Sequence, residues 1–268
     1  MSLGEHEMNS SASPNLVELD IDGPLATITL NRAHKRNALS VQLLNDLQLT
    51  FDNLPSTVKT AILLGAGEHF SAGLDLSELT ESTAVEGMQA SAIWYEAFRK
   101  IQFGRVPVIT VLHGAVVGGG LELASALHIR IAEENAYFAL PEGQRGIFLG
   151  GSGSVRITKL IGFSRLTEMM LTGRVINADE AHRIGLAHYV VPNGEGLNLA
   201  KELALKVAAN ASLSNYAILN ALPLIAEQPM SHGLLTEALM SAITQSDPEA
   251  KSRLNAFLDK RASKVAPA

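Results

Sequence analysis

The sequence contains no cysteine, which removes disulfides, thiolate metal sites and cysteine nucleophiles together. Positive charge is also scarce: 21 Lys and Arg stand against 27 Asp and Glu, a formal net charge of −6. Binding along a nucleic-acid backbone needs clustered cations to neutralise phosphates, so this balance argues against a nucleic-acid partner. No apolar run is long enough to cross a bilayer, which argues against a membrane partner. The opening MSLGEHEMNSSASPN has neither the apolar core of a secretory signal nor the basic amphipathic pattern of a transit peptide. Residues 1–14 therefore read as a flexible tail, on a chain expected to be soluble and cytoplasmic. The hydrophobic fraction, 47% over 268 residues, suffices for one large core or for one domain with an appended lobe.

The apolar pattern divides that length. LVELDI and LATITL alternate around Asp22-Gly23-Pro24 and read as a β-hairpin. NRAHKRNAL is a polar loop, after which Ser40 caps the amphipathic stretch SVQLLNDLQLTFDNL. VKTAILLGAG and PVITVLHGAVVGGG share one pattern, an apolar strand leading to a glycine-rich turn and a helix. HIRIAEENAYFAL adds strand, and ADEAHRIGLAHYV reads as a short helix followed by a strand. From Gly194 onward the pattern is long amphipathic helices: LNLAKELALKVAANA, SNYAILNALPLIAE, SHGLLTEALMSAITQ and DPEAKSRLNAFLDKRAS. The expectation is an α/β core over 15–193 in which a strand-turn-helix unit recurs, and a helical C-terminal lobe over 194–268.

VVGGGLELASA carries the first chemistry. Glycines between a strand and a helix expose backbone N–H groups at the positive end of the helix dipole, and let a ligand approach where a Cβ would obstruct it. A tight strand-helix turn explains the glycines equally, and GGG lacks the GxGxxG spacing of a dinucleotide site. Glu122, among Leu121, Leu123 and Ala126, has no wide polar face, so burial raises its pKa toward the range of a general acid or base. The alternative is a structural glutamate paired with Arg130 or Arg156. Glu142, in YFALPEGQRG, reads alone as a solvated loop residue; beside Glu122 it makes a pair able to hold one water. In GAGEHFSAGLDLSEL a further strand ends at Ala72-Gly73-Leu74, whose backbone can present an N–H. That donor and one from Gly119 would form a two-pronged oxyanion hole, and losing such a donor costs about 10²–10³ in rate. GGSGSVR reads as a helix entry. His34, His69 and His113 lack metal spacing such as HExxH, and no metal is expected. Met88, Trp94, Tyr95 and Phe98 recur at helical intervals and read first as packing.

In this order the motifs resemble the crotonase superfamily, the enoyl-CoA hydratase and isomerase group, along nearly the whole chain. LNRAHKRNALS is similar to the family's early loop, HFSAGLDLSEL to its first oxyanion segment, GAVVGGGLELASALHIRIA to its second, and FALPEGQRGIFLGGSGSVRITKLIG to its second acid segment. LTGRVINADEAHRIGLAHYVV follows in the expected place. The resemblance implies a ββα spiral core with a C-terminal lobe used for oligomerisation, as a trimer or dimer of trimers. It implies backbone donors at Leu74 and Gly119, and an acid-base pair in Glu122 and Glu142. It implies that Asp75, Leu76 and Ser77 lie along the coenzyme A adenosine, that the backbone at Ala72 reads the adenine, and that Lys35, Arg36 and Ala38 flank the phosphates. Coenzyme A is then part of the acyl-CoA substrate, and no separate cofactor is implied. Leu149 and Val155 stand where the family commonly has Pro and Gln, departures that bear on the acyl pocket, which Met88, Trp94, Tyr95 and Phe98 would help to line. FALPEGQRGIF, WYEAF and GAVVGGGLELASA look closest to the methylthioacryloyl-CoA hydratase branch. The implied activity is hydration of a short enoyl-CoA thioester. Double-bond isomerisation or acyl-CoA hydrolysis on the same fold, and RNA binding without catalysis, are the alternatives.

Overall fold

The computed structural model describes residues 15–78, 81 and 83–259, so the expected tail over 1–14 lies outside the described residues. The hairpin forms as β1 (Val17–Asp22) and β2 (Leu25–Leu30), antiparallel, with Val17 opposite Leu30. Ser40 caps α1 (Val41–Asp52), its Oγ accepting the Leu43 N–H at 3.2 Å. β3 (Thr60–Gly65) precedes the long helix α2 (Ala84–Gln102). PVITVLHGAVV, read as one strand, is two: β4 (Val108–Leu112) and β5 (Ala115–Val117). The break falls at Gly114, whose φ of +52° ends the extended run. HIRIAEENAYFA likewise divides into β6 (Ile129–Glu133) and β7 (Tyr137–Ala139), with α3 (Gly119–Ser125) before them. After α4 (Gly153–Ile161) and α5 (Phe163–Thr172) come β8 (Ile176–Asn177), α6 (Ala178–Arg183) and β9 (Tyr189–Val191).

These two breaks let one chain build two sheets. The larger runs β1-β2-β3-β4-β6-β9, parallel beyond the hairpin; the smaller runs β5-β7-β8. The central strands are apolar on both faces, as a parallel sheet covered on both sides requires. Alternate residues explain how. Ala61, Leu63, Val108 and Leu112 join the main core, with Leu43, Leu44 and Leu47 of α1 and Phe98 of α2. Ile62, Ile109, Val111 and Ile131 point the other way, onto α7 (Gly196–Ala208), whose Ala200, Ala204 and Ala208 fall every fourth residue on one buried stripe. The helical region expected to begin at residue 194 thus opens with a helix that covers the sheet. Beyond it, α8 (Ser212–Glu227) and α9 (Met230–Ser246) pack on each other, and α10 (Pro248–Leu258) starts at an Asp247 cap. No helix among the described residues is long and apolar enough to cross a membrane.

The polar loop NRAHKRNAL is tied down by one residue whose importance its sequence does not announce. Asn37 is fully buried in a left-handed conformation, φ +52°. Its Oδ1 accepts the Arg32 N–H at 2.9 Å, and its Nδ2 donates to the carbonyls of Ala66 and His69 at 2.9 and 2.7 Å. The amide thereby joins the first loop to the segment that follows β3. Asn37→Ala leaves these buried groups unsatisfied and is expected to cost about 2–3 kcal/mol, read as a lowered urea midpoint at unchanged slope.

Candidate active site

The segment after β3 is threaded between the first loop and β5. The Ser71 N–H donates to the Ala115 carbonyl at 3.0 Å, and the Val117 N–H donates back to the Ser71 carbonyl at 3.1 Å. Two residues on, the Leu39 N–H donates to the Gly73 carbonyl at 2.7 Å and the Asp75 N–H to the Leu39 carbonyl at 3.0 Å. Backbone groups alternate in direction along an extended chain, so the Leu74 N–H, between those two contacts, points away from Leu39. It points toward the start of α3, where Gly119 is the first helical residue and its N–H has no intrahelical acceptor. Neither N–H donates to any protein acceptor among the described residues.

The glycines keep these two donors adjacent. A Cβ on Gly73, φ +91°, would sit 2.5 Å from the Val117 carbonyl oxygen and 3.0 Å from the Gly119 nitrogen. One on Gly119 would lie 3.4 Å from the Leu74 nitrogen and 2.5 Å from the Trp94 ring. Trp94 therefore backs onto the donor pair and holds an edge-on contact with Phe98, ring centroids 5.8 Å apart.

Glu122 follows within the first turn of α3 and is almost fully buried. Neither Arg130 nor Arg156 forms an ion pair with it; Arg130 donates instead to the carbonyls of Leu186 and Leu127. The partners of Glu122 are backbone: the N–H groups of Gly151 and Gly153 both donate to its Oε1, at 2.9 and 2.8 Å. Burial pushes its pKa up to about 7, against the opposing pull of those two amides, with the nearby Glu142 carboxylate adding to the rise. Glu142 is buried too, rather than solvated as its loop position suggests. It lies at the end of the run through β7, and the Gln144 side chain fixes its turn by donating to the Thr172 carbonyl at 2.6 Å. A Cβ on Gly118 would come within 2.9 Å of Glu142 Oε1, while Oε2 is buried without a hydrogen-bond partner. Burial also raises the Glu142 pKa.

Leu74, Gly119, Glu122 and Glu142 all line one cavity of about 580 Å³, closed in by Val41, Trp94, Ile147 and Phe148. Among the other residues expected for the acyl pocket, Met88 and Tyr95 are exposed and Phe98 is in the core; none of the three lines it. Leu149 and Val155, the two departures from the family pattern, also stand outside its lining, so they do not shape the pocket directly.

The residues expected along coenzyme A gather beside Leu74. Asp75 is buried and acts as the knot of this shelf: its carboxylate meets Arg32 at 2.6 Å and Lys35 at 3.1 Å, and accepts the Ser77 hydroxyl at 2.6 Å. The Ser77 hydroxyl, then Arg32 and Lys35, hold its carboxyl well below the usual carboxylate range despite burial. Leu76 is half exposed, the Arg36 carbonyl accepts the Ala72 N–H, and the Ala38 carbonyl accepts an Arg32 N–H at 3.0 Å. Asp75 is thus engaged within the protein, and the exposed residues of the shelf are Lys35, Arg36, Leu76 and Ser77. Of the histidines, His69 accepts the Ala115 N–H at 3.1 Å and His113 meets the Gly67 carbonyl at 3.2 Å. Sequence reasoning missed Arg32, Asn37 and the Gly151 and Gly153 amides. Only the density of glycines in GGSGS hinted at the last pair.

A spiral of strand-turn-helix units that sets two free main-chain donors over paired buried carboxyls defines a crotonase-fold protein. Residues 20–266 match the family model described as enoyl-CoA hydratase/isomerase. The chain is 34% identical to the short-chain-enoyl-CoA hydratase of Clostridium acetobutylicum, over 92% of this chain and 96% of that one. It is 31% identical to the 2,3-dehydroadipyl-CoA hydratase of Escherichia coli K12, over 87% and 92%. Among solved structures, an enoyl-CoA hydratase homologue from Rhodopseudomonas palustris CGA009 superposes with a TM-score of 0.90 at 52% identity, over 93% of this chain and 97% of that one. The Bacillus anthracis enoyl-CoA hydratase gives 0.86 at 31% identity, over 93% and 98%. The chain belongs to the enoyl-CoA hydratase/isomerase family of the crotonase superfamily.

The raised pKa of Glu122 has a cost in stability. Between its ordinary 4.5 and about 7 the native state binds a proton that the unfolded chain has lost, so stability declines as pH rises through that window. Glu122→Gln removes the ionisation and is expected to melt above the wild type at pH 8, by an amount on the order of 3 kcal/mol. The gap should close as pH falls toward 5 in parallel calorimetric scans. A gap independent of pH would show that the carboxyl is not the cause.

Proposed function

We propose that this chain, an enzyme of the enoyl-CoA hydratase/isomerase family, adds water across the α,β double bond of a short enoyl-CoA thioester. One observation carries the reading: two unpaired N–H groups, at Leu74 and Gly119, line the same cavity as two buried carboxyls, Glu122 and Glu142. The thioester oxygen rests on the two donors, which stabilise the negative charge that grows as the β-carbon is attacked. Glu122 is pinned through Oε1 and Glu142 has an unpartnered Oε2, so the pair has oxygen atoms available for one water. The water oxygen bonds to Cβ, one of its protons is taken by a carboxylate, and Cα gains a proton from the acid partner. The two groups titrate as a coupled pair, so the roles of acid and base belong to the pair.

The finer reading is a substrate with a methylthio group at the β-carbon. Hydration then yields a hemithioacetal, which collapses to a carbonyl and releases methanethiol. The motifs FALPEGQRGIF and WYEAF support this narrower branch, in which hydrolysis of the thioester then releases coenzyme A and a 3-oxo acid, and loss of CO2 from that acid leaves acetaldehyde. Isomerisation and hydrolysis are disfavoured by the presence of both carboxyls, and RNA binding by the net charge of −6. The reading includes a cytoplasmic enzyme acting as a trimer or dimer of trimers through α8 to α10. Leu222, Leu224, Leu234, Leu235 and Leu239, all more than half exposed, support association through that face. Sedimentation that finds only monomer overturns that assembly.

A panel of crotonyl-CoA, longer enoyl-CoAs and methylthioacryloyl-CoA tests the activity, with loss of enone absorbance and methanethiol release as readouts. Hydration of none of them defeats the reading. Glu122→Gln and Glu142→Gln are each expected to lower kcat by about 10²–10⁴ with the fold intact by circular dichroism. Gly119→Ala drives a methyl into the Trp94 ring beside the donor pair and is expected to lower kcat by about 10²–10³. Turnover at the wild-type rate in any of the three removes that residue from the mechanism.

A further inference from the structure

The two amides that hold Glu122 belong to an irregular run, Gly150 to Gly153, before α4, and the run does not support itself. Ser152 is left-handed, φ +73°, in a region that residues with a Cβ resist. Gly151 and Gly153 cannot be replaced without collision: a Cβ on Gly151 meets Phe98 at 2.7 Å, and one on Gly153 meets the Glu122 side chain at 2.6 Å. The side chain that fastens the run is Arg156, one turn into α4. Its Nη1 donates to the Gly151 carbonyl at 3.2 Å and to the Ser152 hydroxyl, and its Nε donates to Gln102 Oε1 at 2.6 Å, at the C-terminal end of α2. Arg156 is buried, yet it forms no ion pair with any carboxylate among the described residues. An unpaired buried cation is costly, and a neutral side chain of similar reach would pack there more cheaply.

We propose that Arg156 is a positioning residue for the reaction, clamping the Gly151–Ser152 peptide to α2 so that the Gly151 and Gly153 N–H groups stay aimed at Glu122 Oε1. The inference rests on the reading of Glu122 as part of the acid-base pair. One residue links the two side chains: the Gly151 carbonyl accepts from Arg156, and the Gly151 N–H, in the preceding peptide, donates to the carboxylate. A small rotation of this run removes both amides from Oε1 at once and frees the carboxyl to turn within the cavity. Displacement on the scale of an ångström is enough to cost about 10²-fold in rate.

The cation has a second effect, by charge. Two charged groups act on Glu122: Glu142, which raises its pKa, and Arg156, which lowers it. Tyr95 of α2 also acts electrostatically on Arg156. Loss of the Arg156 charge therefore leaves Glu122 protonated to higher pH, and the acid limb of the rate profile moves upward.

The test is the pH profile of kcat and KM for crotonyl-CoA in Arg156→Gln and Arg156→Lys, with thermal melting as the control for folding. For Arg156→Gln the expected result is a kcat lower by about 10²-fold with KM changed little, and an acid limb displaced to higher pH. Arg156→Lys keeps the charge but loses the fork that reaches Gln102, so its limb stays at the wild-type position while kcat falls less far. A lower rate with an unmoved limb in Arg156→Gln, or KM rising in step with the loss, overturns the proposal in favour of a structural role. Should Arg156→Gln not fold, Gln102→Ala frees the clamp at its α2 end and is expected to lower kcat about tenfold at constant KM. An unchanged kcat there overturns the proposal. Glu122→Gln separates the two claims: if it stays active the acid-base reading fails, whereas an inactive Glu122→Gln beside an unaffected Arg156→Gln defeats the clamp alone.

Discussion

The structure depends on keeping one carboxyl buried and still. Glu122 sits in the first turn of a short helix inside the core, where an ionised side chain without partners would be too costly to retain. Two backbone amides solve this by holding a single oxygen, and because they come from another segment they fix the carboxyl in direction as well as in charge. Much of the nearby sequence follows from that demand. Gly151 and Gly153 are held to glycine because the carboxyl and Phe98 occupy the space of a Cβ, and Gly118 is held to glycine by its φ of +54°.

The same economy of space governs the donor pair. Leu74 is in one segment and Gly119 in another, and they meet only because Ser71 ladders along β5 while Leu39 pins the chain on either side of Leu74. The alternation of an extended backbone then turns the Leu74 N–H toward α3. Asn37 and Asp75 hold this arrangement from behind, one through neutral hydrogen bonds and the other by gathering Arg32, Lys35 and Ser77. The shelf expected to meet coenzyme A is therefore also part of what positions the donors. A change at Asp75 would disturb both.

Several features were legible because they are local. The hairpin turn, the Ser40 cap, the helical periodicity from residue 194 onward and the glycines before Glu122 each announce themselves within a few residues. Glu122 was legible for a different reason, since an acid within LELASAL conflicts with its surroundings, whereas Glu142, which alone reads as a solvated loop residue, stood out only beside Glu122. What failed were readings that needed distance. Continuous apolar character at PVITVLHGAVV hid the change of sheet, since burial on both faces looks the same in either. Met88 and Tyr95 share the spacing of Trp94 and Phe98, but only the last two lie on the buried side of α2.

The sequence by itself determined the kind of element at each position and the chemical groups on offer, because hydrogen bonding within a turn and the period of side-chain burial are set by neighbours in the chain. Tertiary structure alone decided which groups meet. Glu122 finds its amides about thirty residues on, and Leu74 comes to face Gly119 across a crossing of segments. Arg156, an evident candidate to pair with Glu122, reaches the loop beside it instead. Such encounters depend on how the layers pack, and a buried charge takes whichever partners that packing brings within about 3 Å.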